Sequence, residues 1–254
     1  MPYRFAHERQ DYSDFAPGLV FSSLPGRPVF PVRLTDEIFQ RCRARLLQLN
    51  VPPPYTVYDP CCGSGYLLST LAYLHWSELT HLIGSDVDPD VLARARRNMS
   101  FLTVEGMDQR IGELQSLYEQ FGKPSHADAL ARAESLRQQL AANNHTHSVT
   151  PVTFQANALS PAALAAHLKA VTIDMVLTDI PYGIQSTWIE PAREDAVTNA
   201  GWELLEALRG VIAPWTMIAI TSNKQPRIVH DAYQRVEQLQ IGKRRTLFYR
   251  LRSS

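Results

Sequence analysis

Apolar residues return every three or four positions at Ile38, Phe39, Cys42, Leu46 and Leu47. This predicts a helix capped by Thr35, with Asp36 and Glu37 in its first turn and an end near Asn50. After Pro52-Pro53-Pro54 the pattern changes: Tyr55, Val57 and Tyr58 favour an extended run, and Leu67, Leu68, Leu71, Ala72 and Leu74 resume helical spacing. A second strand is expected at 81–86, followed by a helix through Leu92, Ala95 and Met99. Ile111, Leu114, Leu117 and Tyr118 suggest one further helix and 129–140 another, with Gly122-Lys123-Pro124-Ser125 between them. Strand patterns return at 149–155 and 173–179, the latter a mostly continuous apolar run of the kind buried on both faces of a parallel sheet. Ser160-Pro161 opens the helix between those two strands, as N-cap and first-turn proline. A helix at 194–209 and strands at 216–221, 236–241 and 246–251 complete the chain.

Strands that alternate with helices predict a doubly wound α/β fold, here a single domain over 1–254. The first 50 residues form an N-terminal arm and helix. About 30 of them are expected to be irregular, given Pro17-Gly18, Pro25-Gly26, Pro28 and Pro31. Residues 101–145 form a helical hairpin inserted between the second and third strands, with six acids against four bases, which suits a solvated shape element better than a phosphate grip.

Composition narrows the function classes. A hydrophobic content of 45% over 254 residues is that of a soluble protein with a sizeable core. The charged start of the chain lacks a signal-peptide apolar stretch, and nothing suggests a membrane. Three cysteines, two of them adjacent and none in a CxxC pair, fit a reducing cytoplasm and no zinc or other metal site. His145 and His147 read as part of a solvated loop. A formal net charge of zero means that any grip on nucleic acid must be local. The last stretch supplies one: from Lys224 onward there are eight Lys or Arg against Asp231 and Glu237, with Lys243, Arg244 and Arg245 at the expected hairpin between the last two strands. The same charges would also serve to discourage edge-strand pairing.

The candidate chemistry centres on Tyr58-Asp59-Pro60-Cys61-Cys62-Gly63-Ser64-Gly65-Tyr66, a strand, a tight glycine turn and a helix start. In an open parallel sheet such a turn presents backbone N–H groups to a ligand at the carboxyl end of a strand. The pattern stops at GxG, so it lacks the third glycine of a dinucleotide fingerprint, and no Lys follows as in a phosphate loop. Asp59 stands where a phosphate would be repelled and a cation or hydroxyl welcomed. S-adenosylmethionine offers a sulfonium, an ammonium and a ribose diol without a phosphate; the alternative is an ordinary structural turn. Asp86 lies 21 residues after Gly65, the interval at which nucleotide-binding α/β units place a ribose-binding acid. In a doubly wound sheet Asp179-Ile180-Pro181-Tyr182, at the end of the fourth strand, should face the same crevice as Asp59.

These residues carry a family resemblance. The run 59–65 resembles the first cofactor motif of class I methyltransferases, Asp86 their second-strand acid, and Asp179-Ile180-Pro181-Tyr182 the (Asp/Asn)-Pro-Pro-Tyr motif of amino- and base-methylating members. More narrowly, Phe30-Pro31-Val32-Arg33-Leu34, Ile38-Phe39-Gln40-Arg41 and the runs 59–68, 85–89, 121–125 and 178–183 resemble the avilamycin-resistance ribosomal RNA guanine methyltransferases, insertion included. The resemblance implies a Rossmann-like, seven-stranded, mostly parallel sheet of order 3-2-1-4-5-7-6. It implies S-adenosylmethionine as donor, guanine N1 of 23S ribosomal RNA as acceptor, alone or in the large subunit, resistance to an orthosomycin such as avilamycin, and a monomer. Cofactor contacts would fall to Asp59, Cys61, Gly63, Gly65, Asp86 and Asn157, catalysis to Asp179, Pro181 and Tyr182, and RNA contacts to Trp188, Lys243, Arg244 and Arg245. An unpaired or flipped guanine would stack on Tyr182 and give its proton-bearing edge to Asp179. Two positions depart from the commonest pattern: Ile180 replaces a Pro, and Asn157 stands where an acid often meets the adenine amino group, although its carbonyl oxygen can accept the same bond. Methylation of another RNA, a protein glutamine or a small molecule, and a non-catalytic nucleotide-binding module, are the alternatives.

Overall fold

The computed structural model describes residues 3–24, 26, 28–145, 147–180, 194–222 and 228–252, with residues 194–199 described by backbone alone. The elements follow in the order α1 (Val32–Gln48), β1 (Tyr55–Asp59), α2 (Tyr66–His75), β2 (Leu79–Asp86), α3 (Pro89–Ser100), α4 (Val104–Phe121), α5 (Pro124–Asn144), β3 (Thr150–Gln155), α6 (Pro161–Leu168), β4 (Met175–Asp179), α7 (Glu194–Leu208), β5 (Met217–Ser222), β6 (Tyr233–Ile241) and β7 (Arg244–Leu251). The sheet has seven strands in the order β3-β2-β1-β4-β5-β7-β6, as expected. β1 to β5 are parallel, and β7 runs antiparallel to both β5 and β6.

The order reverses direction at β1 and β4, so successive right-handed crossovers leave α2 and α3 on one face and α6 and α7 on the other. Two apolar cores result. One joins Phe39, Leu46, Leu68, Leu71 and Leu92 to the insertion residues Met107, Leu114, Ala133 and Leu136. The other packs Leu164, Leu168, Leu204, Leu205 and Leu208 against Tyr58, Val176 and Ile218. β1 is buried along its whole length because helices cover both its faces. The insertion is the expected helical hairpin, turned by Gly122 in a left-handed conformation (φ 60°) and followed by Pro124 at the start of α5.

Three local expectations are corrected. α1 begins at Val32, not after Thr35, because the Pro31 carbonyl already accepts from the Leu34 and Thr35 amides. Asp36 and Glu37 therefore lie inside the helix, buried. Glu37 accepts from the amides of Arg4 (2.7 Å), Phe5 (2.8 Å) and Ala6 (2.8 Å) and from Arg41 Nε (2.7 Å). The N-terminal arm is irregular as expected but folded in: Phe15, Val20, Phe21 and Phe30 are core residues. His147 lies in the loop before β3 but is packed rather than solvated: its Nε2 meets the Leu79 carbonyl, and its own carbonyl accepts from Trp76 Nε1 (2.9 Å), which closes the insertion against β2.

Glu37→Ala removes the acceptor of three backbone amides and one partner of Arg41 together, so it is expected to lower unfolding free energy by about 3–5 kcal/mol. Urea titration checks this, and an unmoved midpoint would mean that the arm is not anchored through this carboxylate. Among the described residues no helix is long and apolar enough to cross a membrane.

Candidate active site

The turn after β1 is pinned residue by residue. The Cys61 amide donates to Asp59 Oδ1 (3.0 Å), the Cys62 amide to the Ser85 carbonyl (2.9 Å), the Gly63 amide to Asp86 Oδ2 (3.1 Å), and the Gly65 amide to the Cys62 carbonyl (2.8 Å). Gly63 (φ 55°) and Gly65 (φ 71°) sit in the left-handed region, and a Cβ on Gly65 would lie 3.3 Å from the Ala95 backbone. Behind the turn, fully buried Asn98 donates from Nδ2 to the Ser64 and Ser22 carbonyls (both 2.8 Å). The N-terminal arm thus braces the turn, a link across most of the first hundred residues that no local pattern carries.

Asp59 and Asp86 end neighbouring parallel strands, with Asp59 in register with Gly84. Burial pushes the Asp59 carboxyl up to about 7, and the nearby charges of Asp179 and Asp86 add to this. Asp86, further held by the Asp88 amide (3.1 Å), is raised in the same way, by burial first. Asp179 ends β4 opposite Thr221, and burial lifts it to about 6 against the opposing charge of Arg244. Three carboxylates at one strand edge, all raised by burial and Asp59 further by the charges of the other two, make a site that favours a cation. The hydroxyl of Thr178 is buried there beside the Asp59 carboxyl, whose charged form it favours. Burial raises the thiols of Cys61 and Cys62 well above their ordinary value, so neither serves as a thiolate nucleophile at neutral pH.

Asn157 stands exposed just beyond β3, the strand beside Asp86, and its Oδ1 accepts from the Leu159 amide (2.9 Å). Pro181, Tyr182 and Trp188 lie outside the described residues. The hairpin between β6 and β7 turns at Gly242 and Lys243, and its tip reaches the same carboxyl edge, since Arg245 pairs with Ser222 at the end of β5. Lys243 is exposed there, and Arg245 donates to Gln240 Oε1 (3.3 Å). Arg244 turns inward: its Nη2 is 4.0 Å from Asp179 Oδ2, and its Cζ lies 5.4 Å from the centre of the buried Phe30 ring. Sequence reasoning marked Arg244 for RNA contact or edge protection and missed this pairing, and it missed Thr178 and Asn98.

A family model described as rRNA methyltransferase AviRa matches residues 1–244. The chain belongs to this family. A curated relative, named 23S rRNA (guanine(2535)-N(1))-methyltransferase from Streptomyces viridochromogenes, is 41% identical over 249 residues, 98% of this chain and 95% of the relative. Two solved structures of rRNA methyltransferase AviRa from the same organism superpose with TM-scores of 0.84 and 0.85 at 40% identity, each covering 98% of this chain and 96% of the other. TrmN from Thermus thermophilus, at 15% identity and a TM-score of 0.51 over 89% of this chain and 50% of its own, shares the fold alone. The AviRa family and its Rossmann-like methyltransferase sheet, both expected from the motifs, are borne out.

Proposed function

We propose that this AviRa-family protein methylates N1 of a guanine in 23S ribosomal RNA, with S-adenosylmethionine as donor, and so lowers susceptibility to an orthosomycin such as avilamycin. The observation that carries the reading is the gathering of Asp59, Asp86 and Asp179 at one strand edge beside a glycine turn, with a basic hairpin tip on the same edge.

The residues fit such a donor. Raised carboxylates at Asp59 and Asp86 call for the positive charge and hydroxyl donors of an amino-acid nucleoside, and neither invites a phosphate. When bound, the donor supplies an electrophilic methyl group on a sulfonium. Asp86, with one amide on each oxygen, keeps a lone pair on each for a ribose diol. Gly63 and Gly65 supply the left-handed backbone that shapes the turn, and Gly65 lets it pack close to Ala95 of α3. Cys61 and Asn157 border the same edge as further contacts. On the acceptor side Asp179 takes the N1 proton of a guanine flipped out of its helix, and Pro181 and Tyr182, which follow it in sequence, supply the carbonyl and stacking surface that align the base. We take the protein to act as a monomer in the cytoplasm, beside its RNA.

The reading is tested by mass-spectrometric mapping of ribosomal RNA from cells with and without the protein. One added methyl on guanine N1 in 23S RNA supports it, and an unmodified RNA refutes it. Lys243 and Arg245 are assigned to the RNA backbone, and Trp188 to stacking on the RNA. Replacing Lys243 and Arg245 with Gln should flatten the dependence of RNA affinity on salt by about two phosphate contacts and leave cofactor affinity unchanged. An unaltered slope in a filter-binding titration would remove both from the interface.

A further inference from the structure

We infer that Arg244 is a positioning residue for methyl transfer: held against Phe30 and beside Asp179, its guanidinium keeps the Asp179 carboxyl ionised and ready to take the acceptor's proton. The inference rests on the reading of Asp179 as that proton acceptor.

Arg244 differs from its neighbours in the basic cluster. Lys243 is exposed at the hairpin tip, whereas the Arg244 side chain is only 18% exposed. A residue meant to grip phosphate is better placed facing solvent. Here the guanidinium instead lies over an aromatic ring contributed by the N-terminal segment, which fixes its direction. Its Nη2 stands 4.0 Å from Asp179 Oδ2, close enough for a strong attraction and too far to consume the carboxylate in a hydrogen bond. Asp179 thus keeps its lone pairs for the substrate.

A positive charge is needed at this place. Asp179 is partly buried and shares the strand edge with the carboxylates of Asp59 on β1 and Asp86 on β2; among the described residues Lys243 and Arg245, the other cations of the β6–β7 hairpin tip, sit on the same hairpin as Arg244. Burial lifts the Asp179 carboxyl to about 6, and Arg244 is the charge that opposes the rise. The Arg244 Nε–H is buried without an acceptor among the described residues. It remains available to an acceptor oxygen such as guanine O6, where negative charge collects as N1 gives up its proton. The proton on N1 passes to Asp179, the N1 electron pair takes the methyl group, and the pair of the broken carbon–sulfur bond stays on sulfur as a neutral thioether.

The test is single-turnover methylation of 23S RNA at saturating RNA and saturating S-adenosylmethionine, from about pH 5 to about pH 9, for wild type, Arg244→Gln, Arg244→Lys and Asp179→Asn. Saturating RNA removes any effect of phosphate affinity, and S-adenosylmethionine affinity by calorimetry confirms that each variant is folded. Arg244→Gln should move the acidic limb of the rate profile up by about one pH unit, with about tenfold loss below the limb and near recovery at high pH. Arg244→Lys, which keeps a charge, should restore most of the shift. A uniform loss at every pH, or no loss at all, would overturn the inference. If Asp179→Asn is slow while Arg244→Gln leaves the limb in place, only the role of Arg244 fails. If Asp179→Asn methylates at the wild-type rate, the assignment of Asp179 falls, and the inference with it.

Discussion

Asp179→Asn is expected to slow methylation of 23S RNA by about 10²–10⁴-fold near neutral pH, the range of a positioned general base. The substitution keeps the shape of the side chain and an acceptor oxygen, so the base can still dock. What it removes is the capacity to bind a proton. A ring nitrogen that carries hydrogen has to lose it before or during transfer, whereas an exocyclic amine attacks with its own lone pair and needs alignment more than a base. The same substitution therefore separates N1 from exocyclic attack. The sign of the pH dependence follows from the raised carboxyl: at about 6, Asp179 is ionised above and protonated below, so the wild-type rate falls as the medium is acidified through that region. In Asp179→Asn this limb is lost, and the residual rate climbs towards high pH as guanine N1 ionises unaided. Single-turnover assays at several pH values, with the product base identified by mass spectrometry, give both results. A wild-type rate in Asp179→Asn would place the chemistry in another crevice.

Asp86→Ala is expected to weaken S-adenosylmethionine binding by about 1.5–3 kcal/mol, roughly ten- to a hundredfold, the size of a hydrogen bond to a charged group. The effect has two sources. The carboxylate accepts the ligand's hydroxyls, and it also holds the glycine turn through the Gly63 amide (3.1 Å). Asp86→Asn divides them: its single carbonyl oxygen can retain the Gly63 bond while the other position becomes a donor facing the Asp88 amide. Calorimetry on both variants, with thermal melts as a control for the turn, reads the division. Binding to the wild type should also weaken as pH drops below about 7, because Asp59, raised by burial to that value, then takes up a proton and no longer offers its charge to a cationic ligand. An affinity unchanged by Asp86→Ala would move the cofactor away from this edge.

The sequence by itself determined the parts of this protein whose physics is local. Period-2 and period-3.6 patterns of apolar residues reported which segments are strands and helices, because burial on one or both faces is set by the element's own repeat. The glycine turn was legible because positive φ at Gly63 and Gly65 is a requirement of those two residues, and Asp59, Asp86 and Asp179 were legible because each closes a strand whose carboxyl end must lie on one edge of a parallel sheet. The hairpin insertion was visible too, through its own periodicity and its central Gly-Lys-Pro turn.

Tertiary structure alone decided what depends on segments meeting from far apart in the chain. Asp36 and Glu37 read as first-turn acids, yet the long-range demand of the amides of Arg4, Phe5 and Ala6 buries Glu37 inside the helix. The arm looked irregular from its prolines and glycines, which is true of its backbone but silent about Phe15, Phe21 and Phe30 filling the core. Lys243, Arg244 and Arg245 form one basic run in sequence. Alternation along β7, the antiparallel return beside β5 and the Phe30 ring send Arg244 to Asp179 while Lys243 stays at the tip. Charge patterning along a chain registers how much charge is present, whereas its direction is set by strand order and packing, and here that direction separates an exposed lysine at the tip from a guanidinium turned towards Asp179.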